Sequence, residues 1–494
     1  MRHVDRWVTL LVALAALTLA AGSLVGCSSG GSSSGDDDSA SDDDTTDDDT
    51  QIDDDATDDD TQPDDDTQTD DDTQPDDDTQ PDDDTTPDDD TGDSLTVAPQ
   101  MEIVPAGTSF TYTAQAMVSG EPVTTGFTWS IDDHDVATID QNGQVTGVAN
   151  GQTTLTAALG DLNDTAQVKV GPDVFVFDSI GGLLMAIDRN SQTPVADYLG
   201  SGAVGVIVND VRVTKDGYVF LVDSGDSGPG ITGGEKLILV EPFNANHVTN
   251  ITLDQDSPWS ATYFQGSFWV TGNLDSTLAQ VTLNKDKDAT VAYYDLDPSC
   301  APLDAIGVGD YLYVACSGFH LDGFTYDPGK VLVIDPATGA KVQQIDMPQV
   351  NPSHFAVMPD DDTVLYVVCT GDYVTNTGKV VKVATADNTV TSSFDLGVAP
   401  GAIGINAADI AFVGEGMRGS VYVFNASTGA VIHGTADPVV IPDAMWIQSL
   451  GVHPETGDAY VCDQGDGKVY VLSGTDYTTV FNVTLTNPAG VAFW

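Results

Sequence analysis

One short pattern recurs seven times in the C-terminal part of the chain. Each copy is an aliphatic or aromatic run that ends in a small or acidic residue, as in YVFLVDS, DYLYVACS and TVLYVVCT. The copies begin at Asp173, Gly217, Ser267, Asp310, Thr363, Ala408 and Asp458, which lie 44, 50, 43, 53, 45 and 50 residues apart. Further strand patterns and polar turns follow within each copy, and a period of about 40 to 50 residues is typical of a four-stranded propeller blade. The sequence therefore predicts an all-β protein with a seven-bladed β-propeller over residues 171–494.

The two ends of this array complete each other. The first copy starts directly at its second strand, whereas the chain ends on a lone innermost-type strand, NPAGVAFW, at 487–494. Pairing these segments would close the ring and remove an exposed sheet edge. The units resemble the YVTN-type seven-bladed β-propellers of bacterial surface proteins over the whole of Pro172 to Trp494.

The longest loops of the array are predicted to share one face of the propeller. Strands alternate in direction, so loops between second and third strands lie on the same side as the connections between blades. We call this side the long-loop face and the opposite side the short-turn face. Long loops on a rigid scaffold are common binding sites, and these loops offer acidic and aromatic side chains: Asp226, Phe319, His320, Asp322, Phe324, Tyr326, Asp372 and Tyr373. This surface suits a glycan, peptide or protein ligand, and a solvated rim without a particular ligand is the alternative.

Residues 95–170 carry a different pattern from the propeller repeats. Short β-rich runs are separated by turns, with a hairpin signal at Asn142-Gly143, which predicts a small β-sandwich. The segments FTWS at 127–130, DVATID at 135–140 and GQTTLTA at 151–157 resemble the bacterial immunoglobulin-like domain of group 2. The resemblance implies a spacer without chemistry of its own.

An acidic segment precedes this domain. From Asp36 to Asp93 the chain has 31 acidic residues and no Lys or Arg. Such a segment cannot bury a core and its charges repel, so we predict a disordered, extended linker. The rest of the chain is also strongly acidic, and this excludes nucleic acid as a partner.

The first residues have the pattern of a targeting segment. Arg2 and Arg6 precede an apolar stretch that is too short for a permanent membrane span. The following Leu24-Val25-Gly26-Cys27 resembles the lipobox of bacterial lipoproteins. The resemblance implies a signal peptide over 1–26, a lipidated Cys27 at the start of a linker over 27–94, and membrane attachment through the lipid. With Ser28 next, it implies the outer membrane of the bacterial envelope and exposure at the cell surface.

Three further cysteines are predicted to lie close together. Cys316 and Cys369 end equivalent strands in neighbouring blades, and Cys300 enters the blade of Cys316 on the same face. An exported protein permits oxidation, so we predict a disulfide among the three. Cys300–Cys316, which requires a bend at Pro302, is the first choice and Cys316–Cys369 the second. A soft-metal site from Cys316, Cys369 and His354 is a further alternative.

Two classes of function follow from these features. In the first, a monomeric, lipid-anchored surface protein uses its propeller as a non-enzymatic binding or adhesion module, with the sandwich and the acidic tail as spacers. In the second, which the propeller resemblance also implies, the channel mouth hosts a lyase or lactone hydrolase with His354 as general base. An enzyme would need several polar side chains that point into the channel, whereas innermost strands such as AIGVG and SLGVH predict a channel lined by small, apolar side chains.

Familiar catalytic motifs do not decide between these classes. GDSGP at 225–229 looks like a serine-protease nucleophile loop, but the sequence carries nothing resembling the partner motifs of that family. Zincin, Walker and dinucleotide motifs do not occur in a suitable context. The sequence therefore predicts no cofactor, no metal site and no catalytic residue.

Overall fold

The computed structural model describes residues 92–494 except 180, 190, 201, 206, 226–233, 245, 321–322, 376–377, 397–398, 417 and the side chain of Gln448. Cys27, residues 36–91 of the acidic segment, Asp226 and Asp322 lie outside the described residues. All regular elements within the described ranges are β-strands. These ranges contain no helix with the length and apolar character needed to cross a membrane.

The first ten strands form the Ig-like domain. They are β1 (Ser94–Ala98), β2 (Met101–Ile103), β3 (Ser109–Thr111), β4 (Thr113–Val118), β5 (Glu121–Val123), β6 (Thr128–Ile131), β7 (Ala137–Ile139), β8 (Gln144–Gly147), β9 (Gly151–Leu159) and β10 (Leu162–Val170). The sheets run β1-β4-β5, β2-β10-β9-β6 and β3-β8-β7. Strand β1 alternates exposed and buried residues, as expected for a strand with one face on a core. The core includes Val97, Tyr112, Leu155 and Val168.

The predicted hairpin turn at Asn142-Gly143 is needed for close packing in this domain. Gly143 has φ +79°, and a Cβ on it would lie 2.9 Å from the Trp129 ring. Only glycine adopts this positive φ without strain and has no Cβ to collide with the Trp129 ring. The partly buried Trp129 packs against the core next to this turn.

The remaining strands form the propeller. They are β11 (Val174–Asp178), β12 (Leu184–Asp188), β13 (Thr193–Val195), β14 (Val208–Val213), β15 (Val219–Asp223), β16 (Lys236–Glu241), β17 (His247–Thr252), β18 (Pro258–Phe264), β19 (Ser267–Gly272), β20 (Thr277–Leu283), β21 (Ala289–Asp295), β22 (Pro302–Val308), β23 (Tyr311–Cys316), β24 (Phe319–His320), β25 (Thr325–Tyr326), β26 (Lys330–Asp335), β27 (Ala340–Asp346), β28 (Pro352–Met358), β29 (Asp361–Cys369), β30 (Lys379–Ala384), β31 (Thr389–Asp395), β32 (Pro400–Ile405), β33 (Ile410–Glu415), β34 (Ser420–Asn425), β35 (Val431–His433), β36 (Val439–Val440), β37 (Ile447–Val452), β38 (Ala459–Asp463), β39 (Lys468–Leu472), β40 (Thr479–Thr484) and β41 (Pro488–Phe493).

These strands form seven antiparallel blades. Blade one has the order β13-β12-β11-β41, and blades two and three are β14-β15-β16-β17 and β18-β19-β20-β21. Blade four is β22-β23-β26-β27, and blades five, six and seven start from β28, β32 and β37. Second strands such as β15 and β38 are buried along their whole length, because each blade packs between two neighbours. Outermost strands such as β27 are mostly exposed, which explains their polar sequences.

The predicted closure of the ring by the C-terminal strand is confirmed. Strand β41 pairs with β11, with Phe493 opposite Val174. A buried polar cluster also joins the last blade to the first. His453 Nε2 lies 3.1 Å from Asp173 Oδ2, and Arg189 Nη2 lies 2.9 Å from the same oxygen. The ring is therefore closed both by the β41–β11 backbone hydrogen bonds and by this polar cluster.

The last residue of the second strand ties several blades to the loop that precedes the innermost strand. In blades two and seven this residue is a buried aspartate. Asp223 Oδ1 accepts the Ile207 N–H at 2.9 Å, and Asp463 Oδ1 accepts the Trp446 N–H at 2.9 Å. In blade four the equivalent residue is Cys316, which forms a disulfide with a cysteine of the corresponding loop, 16 residues earlier in the chain. A covalent bond thus replaces the carboxylate-to-backbone hydrogen bond.

The disulfide is Cys300–Cys316, the first of the pairings considered from the sequence. Pro302 lies opposite Cys316 and the pairing then shifts, so a β-bulge supplies the required bend. Cys369, at the equivalent position of blade five, is a buried free thiol. Burial raises its pKa to about 12. Cys316 is therefore not available to Cys369 or to a soft metal shared with His354.

Candidate functional site

The third residue of each innermost strand occupies an equivalent position around the central channel. In every blade the pairing with the second strand shifts next to this residue. In blades two to five the residues are Asp210, Ser260, Asp304 and His354, and in blades six, seven and one they are Ala402, Ser449 and Gly490. The charged residues of this ring therefore lie on one side of the channel.

Arg212 links three of these side chains. Its Nε donates to Asp210 Oδ2 at 3.0 Å, and its Nη2 donates to Ser260 Oγ at 2.9 Å and also contacts Asp304 Oδ1. Ser260 Oγ lies 2.8 Å from Asp210 Oδ2 and 3.0 Å from Asp304 Oδ1. The other Asp304 oxygen accepts the backbone N–H of Phe355 at 3.0 Å. This channel network connects the innermost strands of blades two, three, four and five.

The electrostatics keep Arg212 charged. Burial lowers the pKa of Arg212, but the carboxylates of Asp210 and Asp304 outweigh burial and raise this pKa above its usual value. Asp304 is 4% exposed, so its charge is compensated by the guanidinium and by backbone N–H groups rather than by water.

His354 lies beside this network on blade five. Its Nδ1 is 3.1 Å from Ser353 Oγ. Burial lowers the pKa of His354 below its ordinary value, although Asp304 and Asp210 oppose the shift. At neutral pH the imidazole is therefore uncharged and can accept a proton.

The sequence-based expectation of a small, apolar channel lining is wrong for blades two to five. The expectation relied on the apolar stretches of the innermost strands and overlooked Asp210, Arg212, Ser260 and Asp304. Aligning the repeats on the proline that leads many innermost strands would have found part of the ring. Ser260, Asp304 and His354 each lie two residues after such a proline.

The channel network and the long loops lie on the same face. The start of β22 pairs with the end of β23, with Pro302 opposite Cys316, and the long loop of blade four begins directly after Cys316. The same arrangement holds in blade five, where Pro352 lies opposite Cys369. The ring residues therefore lie towards the end of the channel that the predicted ligand-binding loops surround.

The long loop of blade four forms a small aromatic hairpin. In this hairpin, β24 pairs with β25 and Phe319 lies opposite Tyr326, with ring centroids 5.4 Å apart. Phe324 lies between the two strands, 6.2 Å from Phe319, and is 47% exposed. His320 Nε2 is 3.1 Å from Asp327 Oδ1. We call Phe319, Phe324 and Tyr326 the aromatic patch.

The long loop of blade five extends this surface. Burial raises the pKa of Tyr326, and Tyr373 and Asp372 in the neighbouring blade add to the shift. Tyr373 is 40% exposed and Val374 is 80% exposed. Asp372 has a local structural role, because its carboxylate accepts backbone N–H groups of Thr375 and Val374 at 2.8 and 3.0 Å. Of the predicted residues, His320, Phe324 and Tyr373 are therefore exposed, whereas Phe319, Tyr326 and Asp372 are partly buried.

One of the two domains matches a known family. Residues 93–170 match the family described as bacterial Ig-like domain (group 2), which confirms the resemblance found in the sequence. No curated protein matches the chain by sequence.

Several solved structures share the propeller fold at low sequence identity. A protein from Lactobacillus plantarum is 12% identical with a TM-score of 0.51, and the match covers 66% of this chain and 100% of that chain. A proposed 6-phosphogluconolactonase from Bacteroides fragilis is 10% identical with a TM-score of 0.50, covering 65% and 97%. Virginiamycin B lyase from Staphylococcus aureus is 13% identical with a TM-score of 0.43, covering 57% and 87%. The first two likenesses show the fold alone, and none of the three assigns an activity to this chain.

Proposed function

We propose that this protein is a lipid-anchored surface protein of the bacterial envelope whose propeller binds a ligand on its long-loop face without catalysing a reaction. The observation that carries the proposal is the aromatic patch together with the exposed Tyr373. Large exposed aromatic side chains that lie together on a rigid scaffold are typical of recognition surfaces.

The chemistry of this surface narrows the ligand class. Aromatic faces stack on sugar rings and attract cations. The strongly acidic surroundings add a general attraction for positive charge and repel anions. We therefore propose a neutral glycan or a cationic peptide segment of a protein as the ligand.

The channel network supports a binding module more than an enzyme. The Arg212 guanidinium and the Asp304 carboxylate are engaged with each other, with Ser260 and with backbone groups. Groups that are satisfied within the protein hold strands together and have little remaining capacity for a substrate. The network accordingly acts as a tie between blades.

A second candidate function rests on His354. An uncharged imidazole beside two carboxylates at a channel mouth is a reasonable general base. This arrangement would suit a lyase or lactone hydrolase, the enzyme classes considered from the sequence.

The binding proposal is tested by replacing the aromatic patch. Changing Phe324 and Tyr326 to serine should weaken binding by about tenfold or more, the factor that corresponds to about 1.4 kcal/mol. Tyr311→Ser is the matched control, because Tyr311 is 39% exposed in the same blade but at the short-turn face. Binding is measured with a glycan array and with an oligolysine peptide at two salt concentrations.

Four outcomes distinguish a glycan ligand, a cationic ligand, a site elsewhere and an enzyme. Weaker glycan binding in the patch variant supports a sugar ligand, and weaker, salt-sensitive peptide binding supports a cationic one. Equal binding by the patch variant and the Tyr311 control would show that the aromatic patch is not the ligand-binding site. Turnover in a screen of lactones and other hydrolase or lyase substrates that is lost in His354→Gln would replace the binding proposal with the enzymatic one.

Anchoring is tested separately at Cys27. Cys27→Ser should abolish labelling by a radioactive or clickable fatty acid and release the protein from the membrane fraction. Lipid labelling that persists in this variant would contradict the proposed attachment.

A further inference from the structure

The Ig-like domain contacts the propeller through a lysine near the end of its last strand. Lys169 Nζ donates to the backbone carbonyl of Asp216 at 2.6 Å and lies 5.6 Å from the centroid of the Phe243 ring. Asp216 belongs to the turn between β14 and β15, and Phe243 to the turn between β16 and β17. Both turns belong to blade two and lie on the short-turn face.

Two glycines permit this close approach. A Cβ on Gly217, which has φ +98°, would lie 2.6 Å from Lys169 Nζ. A Cβ on Gly171 would lie 2.8 Å from the Phe243 ring. A side chain at position 171 would collide with the Phe243 ring, and one at position 217 would displace the end of the Lys169 side chain, so the contact as observed depends on glycine at both positions.

The last residue of the chain holds the same junction. Trp494 Nε1 donates to the carbonyl of Pro172 at 3.1 Å, and the Trp494 backbone N–H donates to the carbonyl of Asp173 at 3.2 Å. The Trp494 ring lies 5.8 Å from Phe243 and 5.6 Å from Phe175. Residues 171–173, which join the two domains, therefore lie against Trp494 at the end of the closing strand and next to Phe243 in the β16–β17 turn of blade two.

The charge of one blade-seven residue also acts on the Ig-like domain. Burial raises the pKa of Glu102 on β2 of the Ig-like domain, and the charge of Glu455 adds to this shift. Glu455 is in the turn between β37 and β38, which also belongs to the short-turn face.

We propose that the Ig-like domain is fixed to the short-turn face as one rigid unit with the propeller, with Lys169 as the clamp and Trp494 coupling this docking to ring closure. Domains joined by a short segment usually move relative to each other unless their contact is specific and well packed. The docked domain covers part of the short-turn face, so an external partner reaches the propeller from the long-loop face. This inference does not depend on the ligand or on whether the propeller has an activity.

The experiment measures the distance between the domains in the full chain. Spin labels are attached at Asp161→Cys and Lys341→Cys, both exposed positions, in a Cys27→Ser background. Cys369 and Cys462 are buried and Cys300 and Cys316 are bonded, so the native cysteines do not compete for label. The unsubstituted junction should give one narrow distance distribution.

Two junction variants and one control complete the test. Lys169→Met and Trp494→Phe should broaden the distribution, whereas Lys215→Met, an exposed lysine beside Asp216, should leave it narrow. Amide exchange at Gly171 and Asp173 should become about tenfold faster in Lys169→Met, the factor that corresponds to about 1.4 kcal/mol. Unchanged circular dichroism shows that each variant is folded.

Two results would overturn the proposal. A broad distribution with the native junction would show that the domains move independently. A Lys169→Met protein with the same distribution and exchange rates as the Lys215→Met control would show that Lys169 is not the clamp.

Discussion

Replacing Arg212 with methionine tests whether the channel network stabilises the ring. The change keeps most of the apolar stem and removes the cation between Asp210 and Asp304. Removing one partner of a buried ion pair typically costs about 3–5 kcal/mol, because the other charge is left uncompensated. The Arg212 side chain is 31% exposed, so solvent screening reduces the loss, and we expect about 2–3 kcal/mol.

A double variant separates the ion pair from simple packing. Asp304→Asn removes the buried charge that Arg212 compensates, so Arg212→Met should cost less in that background than in the native one. Side chains within one network usually show coupling energies of about 0.5–3 kcal/mol, and we expect a value in the upper half of this range.

The assay is urea unfolding followed by tryptophan fluorescence and circular dichroism. Arg418→Met is the matched control, because the Arg418 side chain is 70% exposed and its nearest carboxylate oxygen, on Glu415, is 3.7 Å away. Because the Arg418 end of this pair is exposed and the two side chains are too far apart for a hydrogen bond, we expect a loss of about 0–1 kcal/mol. An Arg212→Met loss no larger than the control, with no coupling to Asp304, would refute the view that the network ties the blades together.

Three further predictions follow from the fold. Cys316→Ser should lower the free energy of unfolding by about 3 kcal/mol, as expected for a disulfide that closes a loop of 16 residues; reduction of the native protein should reproduce the loss, and a variant with native stability would contradict it. Deleting residues 487–494 removes β41 and leaves one edge of β11 unpaired, so we expect little soluble protein and rapid proteolysis, whereas unchanged melting would show that the ring does not need this strand. Because the pKa of His354 is lowered from 6.5, the unfolded chain binds more protons there, and stability should fall as the pH drops through 6.5 towards the lowered value; His354→Gln should flatten this part of a stability-against-pH profile, and an unchanged slope would be evidence against the shift.

The seven blades and the Ig-like domain could be predicted because each of them produces a recognisable local sequence pattern. A blade needs one fully buried second strand, and such strands appear as continuous apolar runs like YVFLVDS and DAYVCDQ. Counting these runs gives the number of blades, and the missing innermost strand of the first blade identifies NPAGVAFW as its replacement. The Ig-like domain was equally predictable from the sequence, because the Asn142-Gly143 turn and the alternating strands are short-range signals.

Only part of the candidate site could be predicted from the sequence. Loop length and aromatic content identified Phe319, Phe324, Tyr326 and Tyr373, because these features do not depend on distant contacts. The role of Asp372 could not be judged in the same way. Whether its carboxylate faces a ligand or accepts N–H groups of its own loop depends on how that loop folds.

The tertiary structure alone determined which distant residues meet. Asp210, Ser260 and Asp304 are separated by 50 and 44 residues in sequence, and they converge only because successive innermost strands surround one channel. The β-bulge next to each of them sets which side chain occupies this ring position, and a bulge of this kind leaves no reliable mark in a single repeat. The contact of Lys169 with blade two likewise depends on the packing of two separate domains. The sequence by itself determined the repeats, because strand burial is a local property, and the folded ring determined the network and the junction, because these join residues from different blades and domains.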